Sequence, residues 1–119
     1  MDNTQLASRL AELCRKGKFE QAQKEFYSND AVSIEQESMQ GFPRETKGLD
    51  AIIEKGHKYQ QMVSDLHEIA VSEPLVAGDS IAFKLTMDTT MKGKPRSKDS
   101  ELCVYKVKNG KIIQEEFFN

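Results

Sequence analysis

Residues 101–119 constrain the fold more than any other stretch of this sequence. Two runs in which apolar and polar residues alternate flank Asn109 and Gly110, and such alternation is typical of β-strands. An Asn-Gly pair tolerates the positive φ angles of a type I′ turn, so it commonly joins two antiparallel strands. The segment therefore predicts a β-hairpin that closes an antiparallel sheet.

The alternation in this hairpin places a carboxylate on the interior side of each strand. Glu101 has the same parity as Tyr105 on the first strand, and Glu115 has the same parity as Ile113 and Phe117 on the second. An interior carboxylate is costly unless water, a partner or a ligand receives it. The hairpin therefore predicts a pocket with a polar floor inside a curved sheet.

Length and charge limit the classes of protein to which the chain can belong. At 119 residues it is long enough for one core, so we predict a single domain spanning 1–119. A net charge of −2 is not the basic footprint that nucleic-acid binding needs, and we expect no nucleic-acid partner. Basic residues concentrate in 92–98, where we favour a solvated hairpin tip over an anion site.

Targeting and metal-binding patterns give further expectations. The polar N-terminus and the lack of a long apolar run predict a cytoplasmic protein without membrane contact.

Cys14 and Cys103 form no motif, and we expect both thiols to be reduced and buried. His57 and His67 are ten residues apart and no CxxC pair is present, which is not a zinc spacing. We therefore predict neither a metal nor a cofactor.

Helical and strand periods follow one another along the chain. Apolar residues recur at helical spacing in three segments, the first capped by Thr4: 4–16, 19–27 and 48–63. Apolar and polar residues alternate in three more segments before the hairpin: 31–37, 66–76 and 81–91. Pro74 kinks or borders the second of these strands. The order ααβα followed by four strands predicts an α+β fold with an antiparallel sheet.

This order of elements, together with particular residues, resembles the nuclear-transport-factor-2-like superfamily in its SnoaL-like branch. The matching segments are 17–20, 26–35, 47–52, 78–83 and 105–113. The resemblance implies a cystatin-like fold, in which a strongly curved mixed or antiparallel sheet forms a cone around a pocket and three helices close it. It also implies a homodimer formed through the outer face of the sheet.

The ketosteroid isomerases of this superfamily match the sequence in part. Their general-base carboxylate corresponds to Glu35, at the end of the first strand, so the resemblance implies that proton abstraction is chemically possible. The two hydrogen-bond donors of their oxyanion hole correspond to Leu10 and about Cys103, which are not such donors. Losing one preorganised donor costs roughly a hundredfold or more in rate. We therefore expect no steroid isomerase activity.

The resemblance also implies which strand residues face the pocket. These are Leu85, Met87, Thr89, Glu101, Cys103, Tyr105, Ile113, Glu115 and Phe117. With Glu35, the pocket would hold up to three carboxylates. Carboxylates that lie close together cannot all stay ionised, so we expect at least one pKa to rise toward neutrality. A glutamate with such a pKa is a workable general acid or base.

A second interpretation exists for the two hairpin glutamates and for the two candidate tyrosines. Glu101 and Glu115 would be hydrated, or paired with basic side chains, if they lay at the open rim of the cone. Tyr59 and Tyr105 would orient a ligand with their phenolic hydroxyls, or pack in the core. Cys103 lacks an activating partner, so we predict a lining residue and not a nucleophile.

The remaining candidates lie on the third helix and the loop before it. His57 would pair with a glutamate at the pocket mouth, or be solvated between Lys55 and Lys58. Met39 and Phe42, in the loop 38–47, would cover the pocket or pack in a dimer contact.

Three functions follow from these features. The first is an enzyme of isomerase or cyclase type that acts on a small molecule by cofactor-free acid–base chemistry, with Glu35 as base. The second is a non-catalytic module that binds a small amphipathic or cationic ligand. The third is a structural or interaction protein whose sheet face only dimerises or docks a partner. The sequence leaves open whether the chain is an enzyme.

Overall fold

The computed structural model describes residues 1–38 and 42–119, so the predicted loop residue Met39 lies outside the described part. Three helices and seven strands occur in the described residues. The helices are α1 (Asn3–Arg15), α2 (Phe19–Phe26) and α3 (Leu49–Met62). The strands are β1 (Tyr27–Ile34), β2 (Glu45–Lys47), β3 (Val63–Val71), β4 (Leu75–Ala77), β5 (Ser80–Met91), β6 (Arg96–Lys108) and β7 (Lys111–Phe118).

All seven strands belong to one mixed sheet. The strand order is β2-β1-β7-β6-β5-β3, and β4 also pairs with β5. The neighbours β1 and β7 run parallel, and the other pairs are antiparallel. This arrangement confirms the predicted α+β fold class, and the predicted hairpin forms β6 and β7 with Asn109 at positive φ.

The N-cap of helix α1 lies two residues earlier than the sequence predicted. The side chain of Asp2, and not Thr4, accepts a hydrogen bond from the backbone N–H of Gln5, and the Gln5 side chain accepts one from the Asp2 N–H. This reciprocal pair is a capping box, which satisfies two N–H groups at the helix start. The buried face of α1 consists of Leu6, Ala7, Leu10, Ala11, Leu13 and Cys14.

Several strand boundaries differ from the prediction. Tyr27, expected in the second helix, begins β1 and pairs with Ile112. The predicted strand 66–76 is divided into β3 and β4, because the segment 72–74 between them contains Pro74, which cannot donate to a sheet ladder. The predicted loops contain further strand residues, namely β2 and the start of β6 at Arg96. No helix in the described ranges is long and apolar enough to cross a membrane.

A β-bulge in β7 corrects the predicted orientation of Ile113. Lys106 pairs with Gln114 while Val107 pairs with Ile112, so Ile113 is the extra residue on β7. Ile112 is therefore buried and Ile113 is exposed, the reverse of the prediction. Beyond the bulge the predicted parity is restored, and Glu115 faces the interior.

The apolar core fills one end of the inner sheet face, beneath α1 and α2. Phe83 and Tyr105 pack there with ring centroids 5.4 Å apart. Helix α3 covers the β1 side of the same face but contributes only Ile52 as a fully buried side chain. Polar groups between α3 and the sheet are therefore shielded from water, and their surroundings include polar as well as apolar side chains.

Candidate acid–base site

Three glutamates and one lysine form a group on the inner face of the sheet beside α3. Glu35 follows β1, Glu101 lies on β6, Glu115 lies on β7, and Lys55 reaches them from α3. Electrostatic interactions link all four side chains. We call these four residues the carboxylate cluster.

Glu115 is the most buried member, with 4% of its surface exposed. The Tyr27 hydroxyl donates a hydrogen bond to Glu115 Oε1, and the Ser33 side chain also hydrogen-bonds to this carboxyl. Burial raises the pKa of Glu115, whereas these two hydrogen bonds and the charge of Lys55 act to lower it. Glu115 therefore has interior partners, and the alternative that placed it at a solvated rim was wrong.

Lys55 is the member that the sequence analysis did not recognise as part of a site. Its Nζ donates to Ser33 Oγ at 2.7 Å and lies 3.6 Å from Glu35 Oε1. It also lies 5.8 Å from the centroid of the Phe117 ring, within reach of a cation–π interaction. Only 16% of its side chain is exposed. One signal could have identified it, because Lys55 is three positions after the buried Ile52 and therefore shares its helix face.

Glu35 lies at the accessible side of the cluster. Its side chain is 35% exposed and forms the ion pair with Lys55. Its backbone N–H donates to the carbonyl of Arg44 at 2.7 Å, which fixes the chain where β1 ends. Ser33, two residues earlier on the same face, is fully buried. That parity could have placed Ser33 in the site from the sequence.

Glu101 has the pKa that is best placed for chemistry at neutral pH. Burial, followed by repulsion from Glu35 and Glu115, raises the pKa of Glu101 to about 7, and Lys55 opposes this rise. The Cys103 thiol lies 4.0 Å from Glu101 Oε1 and provides only a weak contact. Near pH 7 Glu101 is therefore divided between its acid and its carboxylate form.

The other predicted lining residues occupy two different environments. Tyr59 is partly exposed, and burial together with the nearby charges of Glu101 and Asp99 raises the pKa of its hydroxyl. Met87 and Phe117 are half-buried against the core. Tyr105 is buried beside Phe83, which favours the packing interpretation.

The two cysteines are buried and free, as expected. Burial, followed by the charge of Glu101, raises the pKa of the Cys103 thiol well above its usual range. Burial likewise raises the pKa of Cys14 to about 12. Both side chains are therefore thiols at neutral pH, the form that is a poor nucleophile.

His57 lies outside the carboxylate cluster. Its Nε2 hydrogen-bonds to Glu20 of α2, and its Nδ1 lies 3.9 Å from Glu54. Close to half of the side chain is exposed. Its glutamate partners therefore lie at the surface between α2 and α3 and not in the carboxylate cluster.

The surface of the described part of the chain includes the following clefts. One, of about 200 Å³, lies between α3 and 42–47 and includes Lys55 in its lining. The other, of about 250 Å³, lies on the β3–β5 side and is lined by Ala70, Val71, Ser72, Lys84 and Thr86. Glu101 and Glu115 line neither cleft, so the predicted pocket above them stays a prediction. Within the described ranges, no three His, Cys, Asp or Glu side chains are grouped to hold a metal ion.

A comparison of the sequence with models of known protein families identifies the family of this chain. The family model for the SnoaL-like domain matches residues 1–119. The chain belongs to the SnoaL-like domain family. The predicted superfamily is thereby confirmed over the whole described length.

Solved structures with the same fold support this assignment. A protein of Mesorhizobium loti, provisionally described as a SnoaL-like polyketide cyclase and also as a carbohydrate phosphatase, is 30% identical, with a TM-score of 0.91 and full coverage of both chains. An NTF2-like protein of unknown function from Burkholderia pseudomallei is 17% identical, with a TM-score of 0.82 over 100% of this chain and 92% of that one. A protein of unknown function with a cystatin-like fold from Xanthomonas campestris is also 17% identical, with a TM-score of 0.82 over 99% and 90%.

No curated protein matches this SnoaL-like domain significantly. The two relatives at 17% identity show the fold alone. The function of the domain must therefore be argued from its own residues.

Proposed function

We propose that this SnoaL-like domain binds a small organic molecule beside the carboxylate cluster and moves protons to and from it by cofactor-free acid–base chemistry of isomerase or cyclase type. In this proposal Glu35 is the general base and Glu101 is the general acid. The observation that carries it is the grouping of three glutamates around Lys55 on the inner sheet face, where burial and two neighbouring carboxylates raise the pKa of Glu101 to about 7. A group with this pKa is present in both protonation states at neutral pH, as proton transfer requires.

Glu101 compensates for the donor that Cys103 does not supply. The two residues lie on the same face of β6, because they are two positions apart on one strand. A protonated carboxyl in an apolar site can donate a hydrogen bond to an oxygen on which negative charge develops. The Lys55 ammonium, 3.6 Å from Glu35 Oε1, supplies a positive charge next to the proposed base.

The proposed reaction begins at a carbon next to a carbonyl group. Glu35 takes the proton from this carbon, and the C–H electron pair moves to form a carbon–carbon double bond. The carbonyl oxygen gains the charge and takes the proton of Glu101, which gives an enol. In a β,γ-unsaturated carbonyl compound the enol is conjugated with the second double bond. Isomerisation is completed when Glu35 returns its proton to the far (γ) carbon, the second double bond moves next to the carbonyl group, and the oxygen returns its proton to Glu101.

Hydrogen–deuterium exchange tests this proposal without knowledge of the natural substrate. The protein is incubated in D₂O with a panel of small ketones and 1,3-dicarbonyl compounds, and NMR follows exchange of the protons next to the carbonyl. We expect Glu35→Gln to slow exchange at least about a hundredfold. Glu101→Gln should slow it by about tenfold or more, since the amide still donates a hydrogen bond but cannot transfer a proton.

The pH dependence distinguishes the two roles. The exchange rate of the unmodified protein should change near pH 7, and Glu101→Gln should remove this inflection. Glu116→Gln is the matched control, because Glu116 neighbours Glu115 on the opposite face of β7 and hydrogen-bonds to Gln36 at 3.4 Å. Exchange that is equally fast in Glu35→Gln would rule out Glu35 as the base.

A second candidate is non-catalytic binding of a small ligand. The ion pair between Lys55 and Glu35 favours it, because the carboxylate proposed as the base is already engaged by an ammonium of the protein itself. In that case a ligand from the same panel should raise the melting temperature without any exchange of its protons. Stabilisation together with exchange supports the enzymatic proposal instead.

A homodimer through the outer sheet face is also proposed. Leu102 and Phe118 are cross-strand partners on β6 and β7, and their exposed fractions are 45% and 38%. Adjacent exposed apolar side chains mark protein interaction surfaces. Light scattering should show a dimer for the unmodified protein and a monomer for Leu102→Asp. A monomer at all tested concentrations of the unmodified protein would contradict this arrangement.

A further inference from the structure

The cleft of about 200 Å³ between α3 and 42–47 has the features of a separate binding site. We infer that it binds a small organic anion with a flat apolar body, of the size and type of benzoate. We call it the α3 cleft. Its volume equals the liquid volume of roughly seven water molecules, which suits a small ring with one polar substituent.

The walls of the α3 cleft suit the apolar body. Phe42, Pro43 and Ala51 line it from the loop side and from the first turn of α3. An aromatic ring in this space gains from apolar burial and from contact with the Phe42 ring. The lining therefore favours an aromatic ligand over a small inorganic ion.

Thr46 gives the cleft an unused hydrogen-bonding group. Its residue is 8% exposed, and its hydroxyl has no hydrogen-bond partner within the part of the chain that the structure describes. A buried hydroxyl without a partner is unfavourable, and a ligand oxygen would satisfy it. Since Thr46 lines the cleft, a change of its χ1 rotamer can turn the hydroxyl oxygen toward a ligand.

The charges around the cleft favour an anion. The Lys58 ammonium lies 5.1 Å from the centroid of the Phe42 ring, and the Lys55 side chain forms part of the lining. The one lining carboxylate, Glu54, has a side chain that is 81% exposed and lies near His57. Its repulsion of a bound anion is therefore screened by water.

The cleft adjoins the carboxylate cluster. Thr46 and Ser33 are antiparallel partners on β2 and β1, so their side chains lie on the same face of the sheet. Ser33 accepts the hydrogen bond of Lys55, which places the Lys55 side chain between the cleft and Glu35. Binding in the cleft does not depend on proton transfer at Glu101, so it goes beyond the proposed function.

The experiment titrates the protein with benzoate and follows backbone amide signals by NMR. We expect saturable shifts centred on Thr46, Ala51 and Lys58. Benzamide, a neutral molecule of the same shape, should bind at least about tenfold more weakly, because it lacks the charge that Lys58 recognises. Thr46→Val should weaken benzoate binding about fivefold, and Lys58→Gln about tenfold.

Lys47→Gln provides the matched control. Lys47 follows Thr46 on β2 and points to the opposite face, where it pairs with Glu45 at 3.6 Å. This variant should bind benzoate as the unmodified protein does. The inference is overturned if shifts centre elsewhere, if no saturation occurs, if benzamide binds equally well, or if Lys47→Gln weakens binding as much as Lys58→Gln. Glu101→Gln should leave benzoate binding unchanged while it slows proton exchange, so the two proposals can fail separately.

Discussion

Glu101 and Glu115 are both interior glutamates of the same hairpin, but their surroundings differ. Glu115 accepts from the Tyr27 hydroxyl, hydrogen-bonds with Ser33 and is almost fully buried. Glu101 is only half-buried, and within the described part of the chain its side chain makes one weak hydrogen-bonding contact, to Cys103. Neutral hydrogen-bond donors thus hold the Glu115 carboxyl in place, whereas the Glu101 carboxyl is influenced mainly by the charges around it.

This difference separates a structural role from a chemical one. Hydrogen bonds that hold a carboxyl in one geometry stabilise the fold, and they leave little freedom to engage a ligand. A desolvated carboxyl with few donors keeps a high pKa and an unused hydrogen-bonding capacity. Burial alone therefore does not distinguish the two glutamates, whereas the number of their hydrogen-bond donors does.

The largest expected effect comes from removing Glu115. Glu115→Ala should lower the free energy of unfolding by about 3 kcal/mol, because it leaves a cavity and two hydroxyl groups without their acceptor. Tyr27→Phe, which removes one donor and keeps the ring, should cost about 1–2 kcal/mol. Denaturant unfolding at pH 7 measures both. Glu116→Ala, on the outer face, should change stability by less than about 0.5 kcal/mol. If Glu115→Ala were equally mild, its assignment as a structural residue would be wrong.

The next largest effect is expected at Glu101, where a substitution should raise the free energy of unfolding instead of lowering it. The folded state keeps this proton up to a pKa of about 7, whereas an unperturbed glutamate releases it near 4.5. The folded state therefore binds more protons between these values, and stability falls as the pH rises from about 4.5 to about 7.

Glu101→Gln removes this ionisation. It should be more stable than the unmodified protein by about 1–2 kcal/mol at pH 8 and nearly equal to it at pH 4. Denaturant unfolding at the two pH values measures the difference, and Glu116→Gln controls for the loss of one negative charge. Equal stability of Glu101→Gln and the unmodified protein at pH 8 would show that the pKa of Glu101 is not raised.

The smallest effect is expected from Lys55. Its ammonium lowers the pKa of Glu101, while Glu35 and Glu115 raise it. Lys55→Met should therefore move the pKa of Glu101 further upward, by a change in proton affinity of less than about 1 kcal/mol. Carbon-13 NMR of the Glu101 carboxyl measures this titration. Lys58→Met, one turn further along α3, should leave it unchanged, and an equal shift in both variants would indicate a general charge effect.

Local patterns predicted the fold and part of the site. The turn at Asn109 and the parity of Glu101 and Tyr105 depend on neighbouring residues alone, so the sequence was sufficient to identify them. The bulge at Ile113 was not predictable in this way, because it is a property of the pairing between β6 and β7.

The missed site residues share a different cause. Tyr27 was assigned to a helix by its local spacing, and its hydroxyl became relevant only when β1 was placed next to β7. A lysine such as Lys55 is typical of an exposed helix position. Its side chain reaches Ser33 only because α3 packs over β1. Contacts between elements distant in the sequence, and not local preferences, complete the cluster.

The parallel pairing of β1 with β7 also has a consequence for how the protein folds. Tyr27 and Glu115 are 88 positions apart in the sequence, and they meet only when these two strands align. Forming such distant contacts requires a large loss of chain entropy before their favourable interactions are made. They therefore slow folding. The candidate site should therefore form late, after the local hairpin of β6 and β7 is already in place. A folding intermediate would then carry Glu101 and Glu115 on one hairpin before Glu35 and Ser33 join them.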